Sequence, residues 1–219
     1  MNLNLYAIVP VKRFENAKTR LSSVLDRNDR IDLSSLMLED TLRILSSSSS
    51  LTKVIVVSSD KRAQKLAKRH GANFINEERE QGVNSAVALA DSYCMREAAD
   101  ASIIVPYDLP LLEESDIRKA QELAQNEFQC IVICPSRRYD GTNVLLRKPP
   151  SAITTSYDSD SYNMHIKTAL SRGISIKYLI SKTLMYDIDT PEDALDLIRE
   201  GLIGTSQSIE FLKSRLRGI

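Results

Sequence analysis

The sequence is poor in the side chains on which several common chemistries depend. It has two histidines, His70 and His165, too few and too far apart for a histidine metal site. Its three cysteines, Cys94, Cys130 and Cys134, are odd in number and lack metal-ligand spacing. Cys130 and Cys134 lie in the apolar run QCIVIC, where alternate residues share one strand face, so buried free thiols are expected. There is no net charge either, because 29 Lys and Arg balance 29 Asp and Glu. That excludes the broad basic field that draws a protein onto nucleic acid or an anionic membrane, and any anion site must be local.

No segment approaches the unbroken apolar length needed to span a bilayer. The N-terminal MNLNLYAIVPVKR places its apolar run before its basic residues, the reverse of a secretory signal. A cytoplasmic protein with no membrane partner is the expectation. No repeat period is visible. At 219 residues, 42% of them hydrophobic, the chain has the size and composition of one domain, residues 1–219, with a substantial core.

The apolar pattern alternates between strand and helix. Leu5–Val11 reads as a buried strand and Leu33–Leu45 as a helix, followed by strand Lys53–Ser59, a helix closing at Gly71, and the short strand NFIN. A helix from Asn84 or Ser85 to about Glu97 comes next, then the strand-like SIIVPYDLPLL and a helix opened by Glu113 to Asp116. The strand QCIVICPS, the polar loop RRYDGTN and the strand VLLR precede Pro149 and Pro150. A helix from about Ser161 to Arg172, a strand over ISIKYLI and a final helix after DIDTPED complete the chain. This order predicts a largely parallel sheet covered by helices on both faces, with ligands beyond the carboxyl ends of the strands.

Five stretches fall on that rim. Pro10 to Leu21 (PVKRFENAKTRL) carries Lys12, Arg13, Lys18 and Arg20, suited to clamping a triphosphate. It contains no glycine, so it is not a Walker A loop. A solvated basic loop would have the same composition. Asp108 follows an apolar strand between Pro106 and Pro110, a place for a carboxylate that binds a hard cation or, more simply, for a turn residue.

In YDIDTPED, Asp187 and Asp189 are expected to alternate on a strand and point the same way. Thr190 as N-cap, Pro191 at the first helical position and Asp193 three residues beyond the cap approximate a capping box. Gln81 to Val87 (QGVNSAV) offers Gly82 for close backbone approach and Asn84 or Ser85 as a cap. DGTN, Asp140 to Asn143, is a turn with hydroxyl and amide donors.

Taken in order, IVPVKRFENAKTRL, QGVNSAV, DLPL, DGTNVL, YDSDSYNMH and DIDTPEDAL resemble the 2-phospho-L-lactate guanylyltransferase family of deazaflavin coenzyme (factor 420) biosynthesis, nearly end to end. The resemblance implies a Rossmann-like nucleotidyltransferase fold of the nucleotide-diphospho-sugar transferase type, with GTP as donor, magnesium as cofactor and 2-phospho-L-lactate as acceptor. By the same resemblance Lys12, Lys18 and Arg20 would hold the triphosphate, and Gly82, Asn84 and Ser85 the nucleoside. Asp108 and Asp189 would bind magnesium, Asp189 being preferred over Asp187 because it directly precedes the threonine.

Thr142, Asn143 and Ser161 would grip the acceptor. The usual Phe-Gly pair of the family is replaced by Tyr157 and Asp158, which sets a carboxylate where a phosphorylated acid would approach. His165 matches a family histidine and suits helix packing equally well.

Other readings remain beside this one. Phosphoenolpyruvate or a phosphoglycerate would serve the same chemistry as acceptor. A glycosyltransferase would show Asp-x-Asp where this chain has Asp108-Leu-Pro, and a molybdopterin nucleotidyltransferase would show a glycine-rich first loop. A non-catalytic nucleotide-binding regulator would keep the nucleotide loops without the carboxylate pair. A homodimer could form through the amphipathic faces of Leu33–Leu45 or IEFLKSRL, although packing on the parent sheet explains both.

Overall fold

The computed structural model describes residues 3–199 and 206–216. Strands β1 (Leu5–Val11), β2 (Lys53–Ser58), β3 (Asn73–Asn76), β4 (Ala101–Ile104), β5 (Cys130–Pro135), β6 (Thr142–Lys148) and β7 (Ser175–Tyr178) form one sheet in the order β3-β2-β1-β4-β6-β5-β7. The β1–β2, β2–β3, β1–β4 and β5–β7 pairs are parallel. β6 is antiparallel to both its neighbours, β4 and β5, because it returns from β5 through a hairpin. Apolar periodicity carries no information about strand direction, and the sequence shows only that the connection is too short for a crossover.

The sheet is buried on both faces. Leu5, Ala7, Val9 and Val11 of β1 face one apolar cluster, and Tyr6 and Ile8 face the other. Helices α1 (Arg27–Ser47), α2 (Lys61–Arg69) and α4 (Glu114–Gln125) cover the first face, joined by α7 (Pro191–Arg199) and α8 (Gln207–Leu216). α3 (Val83–Arg96) and α5 (Ser161–Ser171) cover the second; a single turn, α6 (Lys182–Met185), follows β7. This alternation is what period-2 patterning through a doubly covered sheet requires. Cys130 and Cys134 lie in the same cluster and all three cysteines are buried and free, as expected.

Three boundaries differ from the sequence reading. α1 starts at Arg27, six residues before the first expected position, because Asp26 caps it by accepting from Asp29 N at 2.8 Å and its first turn is polar. α3 starts at Val83 with Gly82 as N-cap at φ +90°, so neither Asn84 nor Ser85 caps it. Asp187 and Asp189 lie on no strand: β7 ends at Tyr178, and the single turn α6 intervenes before them.

The faces considered for a second subunit are used internally. Leu33, Met37, Leu38, Leu42 and Leu45 of α1 and Ile209, Leu212 and Leu216 of α8 are all buried in one cluster. Asp40 of α1 accepts from Gln207 N at 3.1 Å and Ser208 N at 2.9 Å, anchoring the start of α8. Among the described residues, no helix is long and apolar enough to cross a membrane.

Candidate active site

The parallel strands deliver their carboxyl ends to one rim, and the segment after β1 folds over it. Two short 3-10 turns, Phe14–Asn16 and Thr19–Leu21, replace a free loop. Asp60 accepts from Phe14 N and Glu80 from Arg13 N, each at 2.9 Å. Arg13 Nε donates to Ser59 Oγ at 3.0 Å, so this cation helps fasten the segment to the end of β2. Phe14 is fully buried and packs its ring 6.4 Å from that of Tyr107. Between the turns Lys18 takes a left-handed conformation, φ +53°, rare for a residue with a Cβ.

That conformation accompanies a buried placement of the Lys18 ammonium. Its side chain is only 3% exposed; Nζ lies 2.7 Å from Asp108 Oδ2 and 2.9 Å from Asp189 Oδ1. Burial alone would lower the lysine pKa, but Asp108 and Asp189 reverse this and hold it well above the ordinary range. Reciprocally, Lys18 holds Asp189 below the usual carboxylate range, with Arg20 and Lys12 adding to the effect. Ile188 N donates to Asp108 O at 3.2 Å, so the two carboxylate segments are joined through their backbones.

Asp187 behaves differently from Asp189. Burial pushes its carboxyl up to about 6, with Asp108 contributing, and Asn143 Nδ2 donates to Asp187 Oδ1 at 3.2 Å. The two carboxylates therefore have separate hydrogen-bond partners. The predicted cap is present: Asp193 Oδ2 accepts from Thr190 N at 2.8 Å, and Thr190 Oγ1 accepts from Asp193 N at 3.3 Å.

A cavity of about 480 Å³ opens over this centre, lined by Lys12, Lys18, Arg20, Gly82, Asp108 and Asp189 among others. Asn84 and Ser85 do not line it. Asn84 instead clasps the segment before α5: its Oδ1 accepts from Tyr157 N at 3.0 Å, and its Nδ2 donates to Asp158 Oδ2 at 3.1 Å. A smaller cavity of about 250 Å³ adjoins the first. Arg20, Thr142, Asn143, Tyr157, Asp187 and Asp189 line both.

Ser161, Arg137 and Arg138 line the smaller cavity alone. Arg137 is committed to Asp193 and Asp196, at 3.1 Å each, and Arg138 lies 3.7 Å from Asp193. Asp158, which departs from the family pattern, lines neither cavity and is turned toward Asn84.

The smaller cavity is built on β6 and the start of α5. Thr142 N donates to Ser161 Oγ at 2.8 Å, tying the strand to the helix. Asn143 uses its amide on Leu184 O at 2.8 Å and on Asp187, which makes it a brace for the Asp187 segment. Beneath this floor, fully buried Arg147 forms a bidentate pair with Asp91 and donates to Ser102 Oγ at 3.0 Å. The sequence reading missed Arg137, Arg138 and the Arg147–Asp91 pair. For Arg137 and Arg138, the doublet in the RRYDGTN loop was the available sign.

Chemically, the site has one centre in the wall of the larger cavity, with the smaller cavity adjoining through Asp189. Asp108 Oδ2 and Asp189 Oδ1 converge within hydrogen-bond length of a single point, the Lys18 nitrogen. Two carboxylate oxygens meeting beside an open cavity fit magnesium, which keeps several waters and takes one or two protein carboxylates plus phosphate oxygens. Among the described residues no group of three or more His, Cys, Asp or Glu is placed to hold a metal, so water and phosphate oxygens would have to complete such a shell.

This fold, with a cation-lined cavity at the strand ends, is the α/β nucleotidyltransferase fold. A solved structure from Desulfovibrio desulfuricans, provisionally described as a nucleotide-diphospho-sugar transferase, superposes with a TM-score of 0.79 at 16% identity, covering 97% of this chain and 95% of that one. The family model described as "Guanylyl transferase CofC like" matches residues 5–217, and the chain belongs to that family.

Among its relatives is a phosphoenolpyruvate guanylyltransferase of Rubrobacter xylanophilus, 35% identical over 91% of this chain and 96% of the relative. Others are a 2-phospho-L-lactate guanylyltransferase of Methanothermobacter thermautotrophicus, 34% identical over 89% and 84%, and a 3-phospho-D-glycerate guanylyltransferase of Phenylobacterium zucineum, 32% identical over 96% and 98%.

Proposed function

We propose that this protein transfers GMP from GTP to the phosphate of a small phosphorylated three-carbon acid and releases pyrophosphate. The observation that carries the reading is the Lys18–Asp108–Asp189 centre in the wall of a larger cavity that also holds Lys12 and Arg20, with Asp189 shared by an adjoining smaller cavity lined by Thr142 and Ser161. We place the triphosphate against Lys12, Lys18 and Arg20 and the nucleoside near Gly82. Glu77 and Glu80 line the same cavity and supply carboxylates, the acceptor type that a guanine N1–H and 2-amino group need.

The acceptor belongs in the smaller cavity, with its anionic groups toward Thr142, Ser161, Arg20 and Arg138. 2-Phospho-L-lactate and phosphoenolpyruvate, which carry the phosphate on the carbon next to the carboxylate, are the leading candidates, with a phosphoglycerate as the alternative. With 2-phospho-L-lactate the product would be lactyl-2-diphospho-5′-guanosine. An acceptor phosphate oxygen attacks the α-phosphorus, a P–O bond forms, and the α–β anhydride bond breaks to free pyrophosphate.

A phosphate monoester has a second pKa near 6 and is already mostly ionised at neutral pH, so the chemistry needs no strong general base. What the residues supply is alignment and neutralisation of two polyanions. Magnesium held by Asp108 and Asp189 would offset charge on the triphosphate; Lys12, Lys18 and Arg20 orient the phosphates and balance the departing charge.

The test is pyrophosphate release with magnesium, supplying each nucleoside triphosphate in turn against 2-phospho-L-lactate, phosphoenolpyruvate and 3-phospho-D-glycerate. Release that requires GTP and one of these acids supports the reading. Saturable GTP binding without release from any pair would instead favour a nucleotide-binding regulator.

A further inference from the structure

His165 is completely buried under the acceptor cavity, and both its ring nitrogens are engaged. Ser156 N lies 2.9 Å from Nε2, and Thr142 Oγ1 lies 3.0 Å from Nδ1. A backbone N–H can only donate, so Nε2 must be the unprotonated nitrogen and Nδ1 must carry the hydrogen. A doubly protonated ring would set an N–H against the Ser156 N–H, and the Arg147 charge acts in the same direction. The edge of the Tyr157 ring, 5.1 Å between centroids, fixes the imidazole from the side.

This tautomer has a consequence for Thr142. Its Oγ1 accepts from Nδ1–H, so its own hydrogen remains to be donated elsewhere. Ser161 Oγ is in the same condition, since it accepts from Thr142 N. Among the described residues neither hydroxyl hydrogen has an acceptor, and both side chains line the smaller cavity.

We propose that His165 is a positioning residue: as the Nδ1–H tautomer it fixes the Thr142 hydroxyl as a donor to an oxyanion of the phosphorylated acid. This rests on the reading of the smaller cavity as the acceptor's place. His165 itself touches no substrate, and it acts through Thr142.

The experiment has a spectroscopic and a kinetic part. Long-range proton–nitrogen correlation of protein labelled at its histidines, with His165 identified by its loss in His165→Phe, should show hydrogen on Nδ1. Pyrophosphate release is then measured with the acceptor the wild type uses best. His165→Phe should raise the acceptor KM about tenfold while the GTP KM stays within about twofold.

His165→Asn returns an amide donor near the Nδ1 position and should recover most of that loss, which also guards against a Phe variant that fails to fold. Thr142→Val should match His165→Phe, and the double variant should be no worse than Thr142→Val alone.

A ring protonated on Nε2, additive losses in the double variant, or equal changes in both KM values would overturn the proposal. A wild type inactive with every acceptor would overturn the guanylyl-transfer reading, and the acceptor role with it. An active wild type whose His165→Phe variant keeps its acceptor KM would overturn the positioning role alone.

Discussion

Lys18 Nζ stands 2.7 Å from Asp108 Oδ2, joining residues 90 positions apart in the sequence at the mouth of the strands. The same ammonium reaches Asp189, so it occupies the point where two carboxylate oxygens would meet a cation. Lys18 thus balances the charge of the carboxylates and faces the cavity assigned to the triphosphate.

Replacing Lys18 with Met should lower kcat/KM for GTP about 100-fold, because a buried charge-assisted contact is lost where phosphate charge must be held. The same variant should bind manganese more tightly than the wild type in the absence of nucleotide, since both carboxylates are released. Titration calorimetry or the manganese spin-resonance signal reads this. Unchanged or weaker metal binding would show that the pair does not share a cation site.

Asn84 provides a test that separates the sequence reading from the structure. A nucleoside contact would make Asn84→Ala raise the GTP KM. The clasp on Tyr157 N and Asp158 predicts the opposite pattern: an acceptor KM about tenfold higher and a GTP KM within about twofold. Steady-state kinetics with each substrate varied in turn distinguishes the two.

Burial, with Arg147 adding, depresses the His165 pKa to about 4. The folded state prefers the neutral ring, so this stabilisation is complete above the unfolded value of about 6.5 and is lost as pH falls from there toward 4. Between pH 7.5 and 5 the stability difference between wild type and His165→Phe should shrink by about 2 kcal/mol in favour of the variant. Urea unfolding at the two pH values measures it, and a constant difference would refute the assignment.

Arg147→Met should destabilise the fold by about 3–5 kcal/mol, because it leaves the Asp91 carboxylate buried without its bidentate partner. Adding Asp91→Leu should restore part of the loss, since the unpaired charge is removed as well. Urea midpoints of the single and double variants check this, and a mild effect of the single variant would show that water replaces the pair.

Much of the centre was legible from the chain because one physical rule applies: residues just after parallel strands share a rim. Lys18 and Asp108 follow β1 and β4 and fall on that rim, the pairing of Asp108 with Asp189 was implied by the family resemblance, and the Thr190–Asp193 cap was readable from local spacing. What could not be read depends on long-range pairing. Nothing local to Asn84 indicates that Tyr157 will claim its amide. The direction of β6 is invisible to periodicity, and the split between Asp187 and Asp189 depends on Asn143 and Lys18 approaching from two distant parts of the sequence. For His165 the sequence leaves a family histidine and a helix-packing residue equally open, because the partners on its two nitrogens, Ser156 N and Thr142 Oγ1, are set by tertiary folding.

In the proposed function the Lys18–Asp108–Asp189 centre drives transfer of a guanylyl group onto an acceptor phosphate. The most direct measurement follows label from α-phosphorus-labelled GTP into the phosphorylated acid in the presence of magnesium, with wild type and a folded Asp108→Asn variant side by side. Label appearing in an acceptor-linked product with equimolar pyrophosphate, and falling at least about 100-fold in the variant, is the predicted result. Equal label transfer by the two proteins, or none by the wild type with any of the three acids, would contradict it.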